Sequence, residues 1–351
     1  MKKNNNFAPL IYVWLGTKLP KWVFESISFS RINNNERDII LIVNKKINRK
    51  LYINLGKIKV RLFYLNLKEI NSNIEKSNTL NKSNNFWLFT SLRFEVLNYF
   101  IKKSNINSFF HAEIDNLLFN FDDLEAKFNQ IGHGIFVPRD GKFRAIASFI
   151  YCNRPSCLDE LLSLYSSPFN PGNDMEALGI YANQSKYFFS LPTESYEYTK
   201  KNWKMLMPEI TNGLFDAAAI GQYCLGIDPR NNKYQPTFNL FKNEFSKVNF
   251  EELEIISNGV QFFLRSSKKK KFSKLYNIHV HSKDINKAIS MIKKDKFYES
   301  LVKKQKLIVA HRYKIVIGIF LKIFDIFLLR IKKLIKFILN ANKIKVKKKN
   351  F

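Results

Sequence analysis

The chain has 351 residues, of which 46% are hydrophobic and 15% aromatic, and it carries a formal net charge of +29 at pH 7. This composition excludes a disordered chain and supplies enough apolar surface for one large or two ordinary domains. The three cysteines lack the paired C-x-x-C spacing of a zinc site, and their odd number favours a reduced, cytoplasmic protein.

Three continuous apolar runs of strand length occur in the first part of the chain, at 9–15, 38–44 and 60–67. Strands that are apolar on both faces and separated by helical lengths are typical of a parallel sheet covered by helices on both sides. The first run is too short for a secretory signal and lacks a small-residue cleavage site, so we interpret it as a strand that ends in a turn at Gly16.

A helix is predicted over 86–103, after a polar segment of low complexity, because its apolar residues recur at helical spacing. Arg93 lies near the beginning of this helix. Taken by itself, this position is compatible with a surface residue that pairs with Glu95 or Asn98.

The segment 106–121, INSFFHAEIDNLLFNF, has two apolar runs around a polar centre. Glu113 and Asp115 are two residues apart, so in an extended chain they point to the same side. They follow a buried strand, and ligands of open α/β sheets bind at the carboxyl ends of the strands. Two converging carboxylates repel each other unless a cation lies between them, and Mg²⁺ and Mn²⁺ prefer oxygen ligands. The alternative is that the two carboxylates only solvate the edge of a loop.

Two later helices begin at acidic residues. A helix over 173–182 has Asn173 as its expected N-cap and Asp174 in its first turn, and capping alone would explain both residues. Asp216 precedes a second helix, AAAIGQYCLG, whose small side chains allow the backbone to approach a bulky group. Asp216 therefore either caps this helix or contacts a ligand.

The segment 277–283, NIHVHSK, is predicted to be a strand whose period of two places His279, His281 and Lys283 on one face. An imidazole on this face could bind a metal ion and the ammonium group of Lys283 could bind an anion, but parity alone does not separate His281 from His279.

The last part of the chain is strongly basic. Residues 312–351 contain twelve Lys and Arg against one acid, Asp325. Its apolar runs are too short to span a bilayer, but its polar positions recur with helical period. This pattern is typical of a basic amphipathic helix that lies on an anionic membrane surface. A helix that binds a partner protein, or an arm that binds nucleic acid, is the alternative.

Taken in order, these segments resemble GT-A-fold, nucleotide-sugar-dependent glycosyltransferases of the D-x-D type, as found in bacterial polysaccharide and glycan biosynthesis. The resemblance covers about residues 9–285, and Glu113 stands where the family usually has its first Asp. It implies an α/β, Rossmann-like GT-A domain over 1–300 with a mixed, mostly parallel sheet flanked by helices. A C-terminal basic amphipathic helix would follow in a membrane-associating tail at 301–351.

The resemblance also implies a chemistry, the transfer of a sugar from a nucleotide-diphosphate donor to a glycan or lipid-linked acceptor with Mn²⁺ or Mg²⁺. The enzyme would be cytoplasmic and peripheral on the inner face of the cell membrane, with no specific nucleic acid as partner. The metal ligands implied are Glu113, Asp115 and His281. The donor or diphosphate contacts implied are Gly16, Arg93, Glu113 and Lys283. The catalytic residue implied is Asp216, and the acceptor or sugar contacts are Asp174, Gln222, Tyr223 and Asp228.

Two other functions are compatible with the sequence. A sugar nucleotidyltransferase would share a related fold, but it would carry a glycine-rich, basic phosphate loop after the first strand, and GTKLPKW is a poor match. A non-catalytic membrane-binding or nucleic-acid-binding protein would explain the charge of +29. Against this second function, more than a third of the excess charge lies in the tail.

Overall fold

The computed structural model describes residues 7–16, 18–70, 72, 74, 85–194, 205–217, 219–226, 253–258, 260–266 and 273–293. The tail predicted at 301–351 lies outside these residues, and so does Asp228. Among the described residues, no helix combines the length and the apolar character that crossing a membrane requires.

The described chain alternates strands and helices in its first half and is richer in strands in its second half. The strands are β1 (Leu10–Trp14), β2 (Ile39–Val43), β3 (Val60–Tyr64), β4 (Phe109–Ala112), β5 (Asn116–Leu118), β6 (Ile135–Gly141), β7 (Arg144–Ala145), β8 (Phe149–Cys152), β9 (Phe188–Leu191), β10 (Gly213–Leu214), β11 (Leu253–Ser257), β12 (Phe262–Ser266), β13 (Ser273–Leu275) and β14 (Asn277–His279). The helices are α1 (Val23–Asn33), α2 (Arg49–Lys57), α3 (Asn85–Lys103), α4 (Leu124–Ile131), α5 (Ser156–Ser163), α6 (Asp174–Gln184), α7 (Pro208–Thr211), α8 (Ala219–Leu225) and α9 (Ile285–Lys293).

The main sheet has the strand order β3-β2-β1-β4-β8-β6-β7, with β9 beside β6. The strands β3, β2, β1 and β4 are parallel to one another, while β8 runs antiparallel to both β4 and β6. The predicted α/β class, with a mixed and mostly parallel sheet flanked by helices, is therefore confirmed. The three runs in the first part of the sequence form β1, β2 and β3. The inner strand β2 is buried at every position, as expected for a strand covered on both faces, whereas the edge strand β3 is buried only at Val60.

The two faces of the sheet pack against different helices. Ile11 of β1 and Ile40 of β2 lie in one core together with Phe94 of α3. Tyr12 and Leu41, one position further along each strand, lie in the other core together with Ile27 of α1. This alternation follows from the period of two in a strand, and it separates an α3 face of the sheet from an α1 face.

A short antiparallel ribbon brings the late histidine segment to the acidic segment. His279 of β14 pairs with Asn116 of β5, and the N–H of Val280 donates to the carbonyl of Asp115 over 2.9 Å. The strand ends at His279, because the N–H of Lys283 turns back to the carbonyl of Val280 and Lys283 has a φ of 60°. The predicted strand over 277–283 is therefore wrong in its second half, and the period of two does not apply after His279.

Candidate functional site

The two carboxylates lie where β4 leaves the sheet. β4 ends at Ala112, and Glu113 and Asp115 follow in the loop that leads into β5. From the α1 face, the hydroxyl of Ser26 donates to the carbonyl of Ile114 over 2.6 Å. This bond holds the middle of the loop, so that Glu113 is directed to the α3 face.

His279 completes a cluster of three possible metal ligands. Its Nε2 lies 3.1 Å from a carboxylate oxygen of Glu113 and 3.5 Å from one of Asp115. The three ligand atoms lie within 4.8 Å of one another. The structure thus places His279, and not the predicted His281, beside the carboxylates. The His281 ring packs on that of His279 with centroids 4.1 Å apart, and among the described residues its buried Nε2 has no hydrogen-bond partner.

Arg93 joins the first carboxylate to a second helix. One guanidinium nitrogen donates to Glu113 over 2.8 Å, and another pairs with Asp174 at the start of α6. Arg93 is only 7% exposed, so the structure does not place it at the surface. Asn173 caps α6 as predicted, since its side chain accepts from the N–H of Glu176. Asp174 is therefore free to contact Arg93 and belongs to the same cluster as Glu113.

A second cation lies against the other carboxylate. The ammonium group of Lys283 pairs with Asp115. The side chain of Lys283 remains 29% exposed and that of Glu113 19% exposed, whereas that of Asp115 is only 9% exposed. The cluster is thus buried on the sheet side and open where Lys283 and Glu113 meet solvent.

The charges of the cluster shift its pKa values strongly. Burial opposes the ionisation of both carboxylates, but Arg93 and His279 hold the pKa of Glu113 below its usual value. In the same way, Lys283 and His279 hold the pKa of Asp115 well below its usual value. Burial disfavours the imidazolium, yet Asp115 and Glu113 outweigh it and raise the pKa of His279 to about 9. At neutral pH a protonated imidazole therefore lies where two carboxylates would otherwise repel each other.

The donor set of the cluster fits a divalent cation. Glu113 and Asp115 offer hard carboxylate oxygens and His279 offers an imidazole nitrogen, all on one side of the loop. A site of oxygen ligands with one imidazole suits Mn²⁺ better than Mg²⁺, which prefers an all-oxygen shell. Asp115 and Glu113 raise the pKa of His279, so a metal ion that binds here must displace the proton of its imidazolium.

Asp216 is fully buried, and both of its carboxylate oxygens accept hydrogen bonds from the backbone. One oxygen accepts from the N–H of Ile220 over 3.0 Å, and the other accepts from the N–H groups of Gly221 and His279 over 2.8 and 3.0 Å. This geometry favours the capping interpretation over the catalytic one and gives Asp216 a role in positioning His279.

Asn277 is a positioning residue that the sequence analysis did not identify. Its side-chain amide donates to Asn116 over 3.0 Å and to the carbonyl of Asp216 over 2.9 Å. Its oxygen accepts from the N–H of Asp216. Asn277 lies two residues before His279, so the period of two that selected the histidines also places it on their face.

The remaining predicted residues lie in the loop after β1, in α8 and beyond the described part of the chain. The N–H of Gly16 donates to the side chain of Asn44 over 3.1 Å, and Gly16 lines a cavity on the α1 face. Gln222 is half-buried in α8, and Tyr223 follows it in the same helix. Asp228 lies outside the described residues, so its predicted role stays a prediction.

Gly221 of α8 lies so close to β14 that a larger residue there should disturb His279. A methyl group at this position would overlap the carbonyl oxygen of His279. We expect Gly221→Ala to lower the free energy of unfolding by about 1–3 kcal/mol, the cost of overpacking, and to weaken Mn²⁺ binding because His279 must move. Urea unfolding and Mn²⁺ titration would measure the two effects.

Gly56 provides the control for this substitution. It lies in α2, and a methyl group there would meet no atom within 4 Å. Because alanine is the better helix former, we expect Gly56→Ala to raise the free energy of unfolding by up to about 1 kcal/mol and to leave Mn²⁺ binding unchanged. Unaltered stability and metal binding in Gly221→Ala would show that α8 does not constrain His279.

Comparison with known proteins gives only distant similarities. Neither a protein-family profile nor a curated protein sequence matches the chain. Among solved structures, the chain is similar to the galactosyltransferase LgtC in complex with donor and acceptor sugar analogs, with 10% identity and a TM-score of 0.40 over 57% of this chain and 84% of that one. It is also similar to mouse xyloside xylosyltransferase 1, with 9% identity and a TM-score of 0.37 over 56% and 91% of the two chains. A cytidylyltransferase from Leptospira borgpetersenii aligns with 15% identity and a TM-score of 0.36 over 53% and 76%. These values are too low to assign a function.

Proposed function

We propose that this protein is a metal-dependent glycosyltransferase that moves a sugar from a nucleotide-diphosphate donor to a glycan or lipid-linked acceptor. The observation that carries the proposal is the convergence of Glu113, Asp115 and His279 between two cations, Arg93 and Lys283. A divalent cation at the three ligands and an ammonium group beside them match the charge of a diphosphate leaving group.

Each residue of the cluster has a distinct role in this proposal. Glu113, Asp115 and His279 hold Mn²⁺ or Mg²⁺, which when bound neutralises negative charge on the diphosphate. Lys283 is the more exposed of the two cations and contacts the diphosphate from the open side. Arg93 is buried and orients Glu113 and Asp174, so it preserves the geometry of the ligands. Asp174 belongs to the cluster through its pairing with Arg93, and its contact with the acceptor or the sugar stays a prediction.

The basic tail suggests where in the cell the proposed enzyme acts. Residues 312–351 carry twelve Lys and Arg against one acid, and an anionic surface attracts each nearby cation by about 1 kcal/mol. We place the enzyme in the cytoplasm, peripheral on the inner face of the membrane, where a lipid-linked acceptor would be within reach.

The test of the proposal is calorimetric binding of UDP, GDP, CDP, ADP and dTDP to the full chain, with Mn²⁺ or with EDTA. We expect one of these diphosphates to bind only when Mn²⁺ is present. Asp115→Asn should weaken this binding by at least about 100-fold, because the substitution removes a charged metal ligand.

Asp159→Asn is the matched control, since Asp159 pairs with Lys102 at the surface and its side chain is 48% exposed. We expect this variant to bind the diphosphate as the unsubstituted protein does. The proposal is wrong if no diphosphate binds with Mn²⁺, or if EDTA and Asp115→Asn leave the binding unchanged.

A further inference from the structure

The outward side of α2 carries both apolar and cationic side chains. Arg49, Tyr52, Ile53 and Lys57 follow the spacing of one helical stripe, and all four are exposed. Tyr52 is 54% exposed and Ile53 is 45% exposed. The inward side of α2 packs on the core of the α1 face through the buried Leu55. We call the exposed stripe of four residues the α2 face.

The α2 face lies in a strongly basic part of the surface. Residues 45–69 contain eight Lys and Arg, all of them exposed, against a single acid. In the described part of the chain, Arg61 pairs with Asp38, whereas Arg49 and Lys57 have no ion pair. Cations gathered on one surface raise the local positive potential, which attracts an anionic partner.

The apolar residues of the α2 face favour a membrane as this partner. Tyr52 and Ile53 are adjacent, with Arg49 one turn before them and Lys57 one turn after them. Tyr64 of the edge strand β3, against which α2 packs, is also exposed. At a bilayer surface, an aliphatic side chain enters the acyl boundary, a tyrosine ring lies among the headgroups, and long cationic side chains reach the phosphates. A nucleic-acid backbone would bind the cations but would leave the isoleucine without a partner.

The α2 face is separate from the sites described above. None of its four residues lines the cavity beside Gly16 or belongs to the metal cluster. The strands β2, β1 and β4 are parallel, and α2 follows the carboxyl end of β2. The first turn of α2 therefore lies at the same edge of the sheet as Glu113 and Asp115. A membrane bound at this turn lies next to that edge.

We propose that the α2 face binds the surface of an anionic phospholipid membrane, as a contact that does not require the C-terminal tail. Tyr52 and Ile53 enter the headgroup region, and Arg49 and Lys57 pair with lipid phosphates on either side of them. This contact needs neither a metal ion nor a nucleotide, so it can hold or fail whatever the outcome for the nucleoside diphosphates.

The test is binding of the full chain to vesicles of phosphatidylglycerol in phosphatidylcholine and to vesicles of phosphatidylcholine alone. Co-sedimentation measures the affinity, and hydrogen–deuterium exchange measures the protection of each segment separately, so binding by the tail does not mask the result at α2. We expect the anionic vesicles, but not the neutral ones, to slow the exchange of the α2 amides by at least about threefold, because a docked helix opens less often.

Two double variants remove the two kinds of contact. Tyr52→Gln with Ile53→Gln keeps the helix propensity but should weaken vesicle binding by at least about tenfold, because two side chains no longer leave water for an apolar environment. Arg49→Gln with Lys57→Gln should weaken it by about fivefold for each charge removed, and this loss should become smaller with added salt. Tyr52→Phe with Ile53→Leu keeps the apolar contact and should bind as the unsubstituted protein does.

The matched controls remove similar groups from other exposed positions. Phe169→Gln with Val260→Gln removes one aromatic and one aliphatic side chain, which are 57% and 66% exposed. Lys142→Gln with Lys186→Gln removes two exposed charges. We expect both controls to keep the protection of α2 and to change vesicle binding by less than about twofold, since salt screens distant charges. All the substituted residues are exposed, so circular dichroism should show folded proteins.

The proposal is overturned if anionic vesicles leave the exchange of α2 unchanged, or if the variants of the α2 face bind vesicles as their controls do. A single-stranded RNA oligonucleotide tests the competing partner. Binding of this RNA that is lost in Arg49→Gln with Lys57→Gln, while vesicle binding stays unchanged, would also overturn the proposal and would favour a nucleic acid.

Discussion

His279→Ala is expected to weaken Mn²⁺ binding by at least about 100-fold. Loss of a residue that only supports a metal ligand already costs about 10-fold to 100-fold in affinity, and loss of the ligand itself should cost at least as much. The reason is geometric, since His279 Nε2 lies 3.1 Å from Glu113 and 3.5 Å from Asp115. Without the imidazole, two carboxylates remain, and among the described residues Lys283 and Arg93 are the cations paired with them. Loss of the free-Mn²⁺ signal in electron paramagnetic resonance would measure the affinity without any assay of activity.

His281→Ala is the matched variant. It also removes an imidazole ring, whose centroid lies 4.1 Å from that of His279. His281 is not among the three possible metal ligands. We expect it to leave the Mn²⁺ affinity within about threefold of the unsubstituted value, the change that loss of packing alone would cause. A variant series in which only His281→Ala lost Mn²⁺ would contradict the arrangement of ligands described above.

Arg93→Ala is expected to lower the free energy of unfolding by about 3–5 kcal/mol, the cost of removing one partner from a buried ion pair. Arg93 is 7% exposed and is the common partner of Glu113 and Asp174. Its loss leaves the buried carboxylate of Asp174 without its counter-ion and removes one of the two cations, Arg93 and His279, beside Glu113. Arg93→Lys should recover only part of the loss, because an ammonium group cannot contact both carboxylates through a planar fork. Urea unfolding would measure both variants.

Arg61→Ala supplies the comparison for this effect. Arg61 pairs with Asp38 over 2.9 Å, but the two side chains are 64% and 66% exposed. An exposed pair contributes less than about 1 kcal/mol because water already solvates both charges. Equal losses of stability in Arg61→Ala and Arg93→Ala would mean that the cluster around Arg93 is far more hydrated than its burial indicates.

The cluster accounts for two features that the sequence presents separately. Glu113 and Asp115 follow a strand, and Asp174 begins a helix about sixty residues later. Arg93 pairs with both Glu113 and Asp174. Asp174, whose presence in the first turn of a helix capping alone could explain, is therefore also part of the site. Asp216 accepts hydrogen bonds from three backbone N–H groups that fix α8 and His279, and the catalytic role that the resemblance implies for it stays a prediction.

The sequence by itself determined the elements that depend on local patterns. Continuous apolar runs predicted β1, β2 and β3, and helical spacing predicted α3 to within one residue of its observed start. The acidic pair was correctly placed after a buried strand, and Asn173 was correctly identified as a cap. These features depend on periodicity and on side chains that bond to their own neighbours, so they can be predicted without knowledge of the rest of the fold.

Only the tertiary structure decided which groups meet. Alternation in a strand predicts that His279 and His281 lie on one face, but it does not predict where the strand ends. That end is decided by pairing of β14 with β5 and by the turn at Lys283. The contact between Arg93 and Asp174 depends in the same way on two helices packed against each other. The sequence identifies residues able to do this chemistry, but long-range packing decides the distances between them, and those distances determine the site.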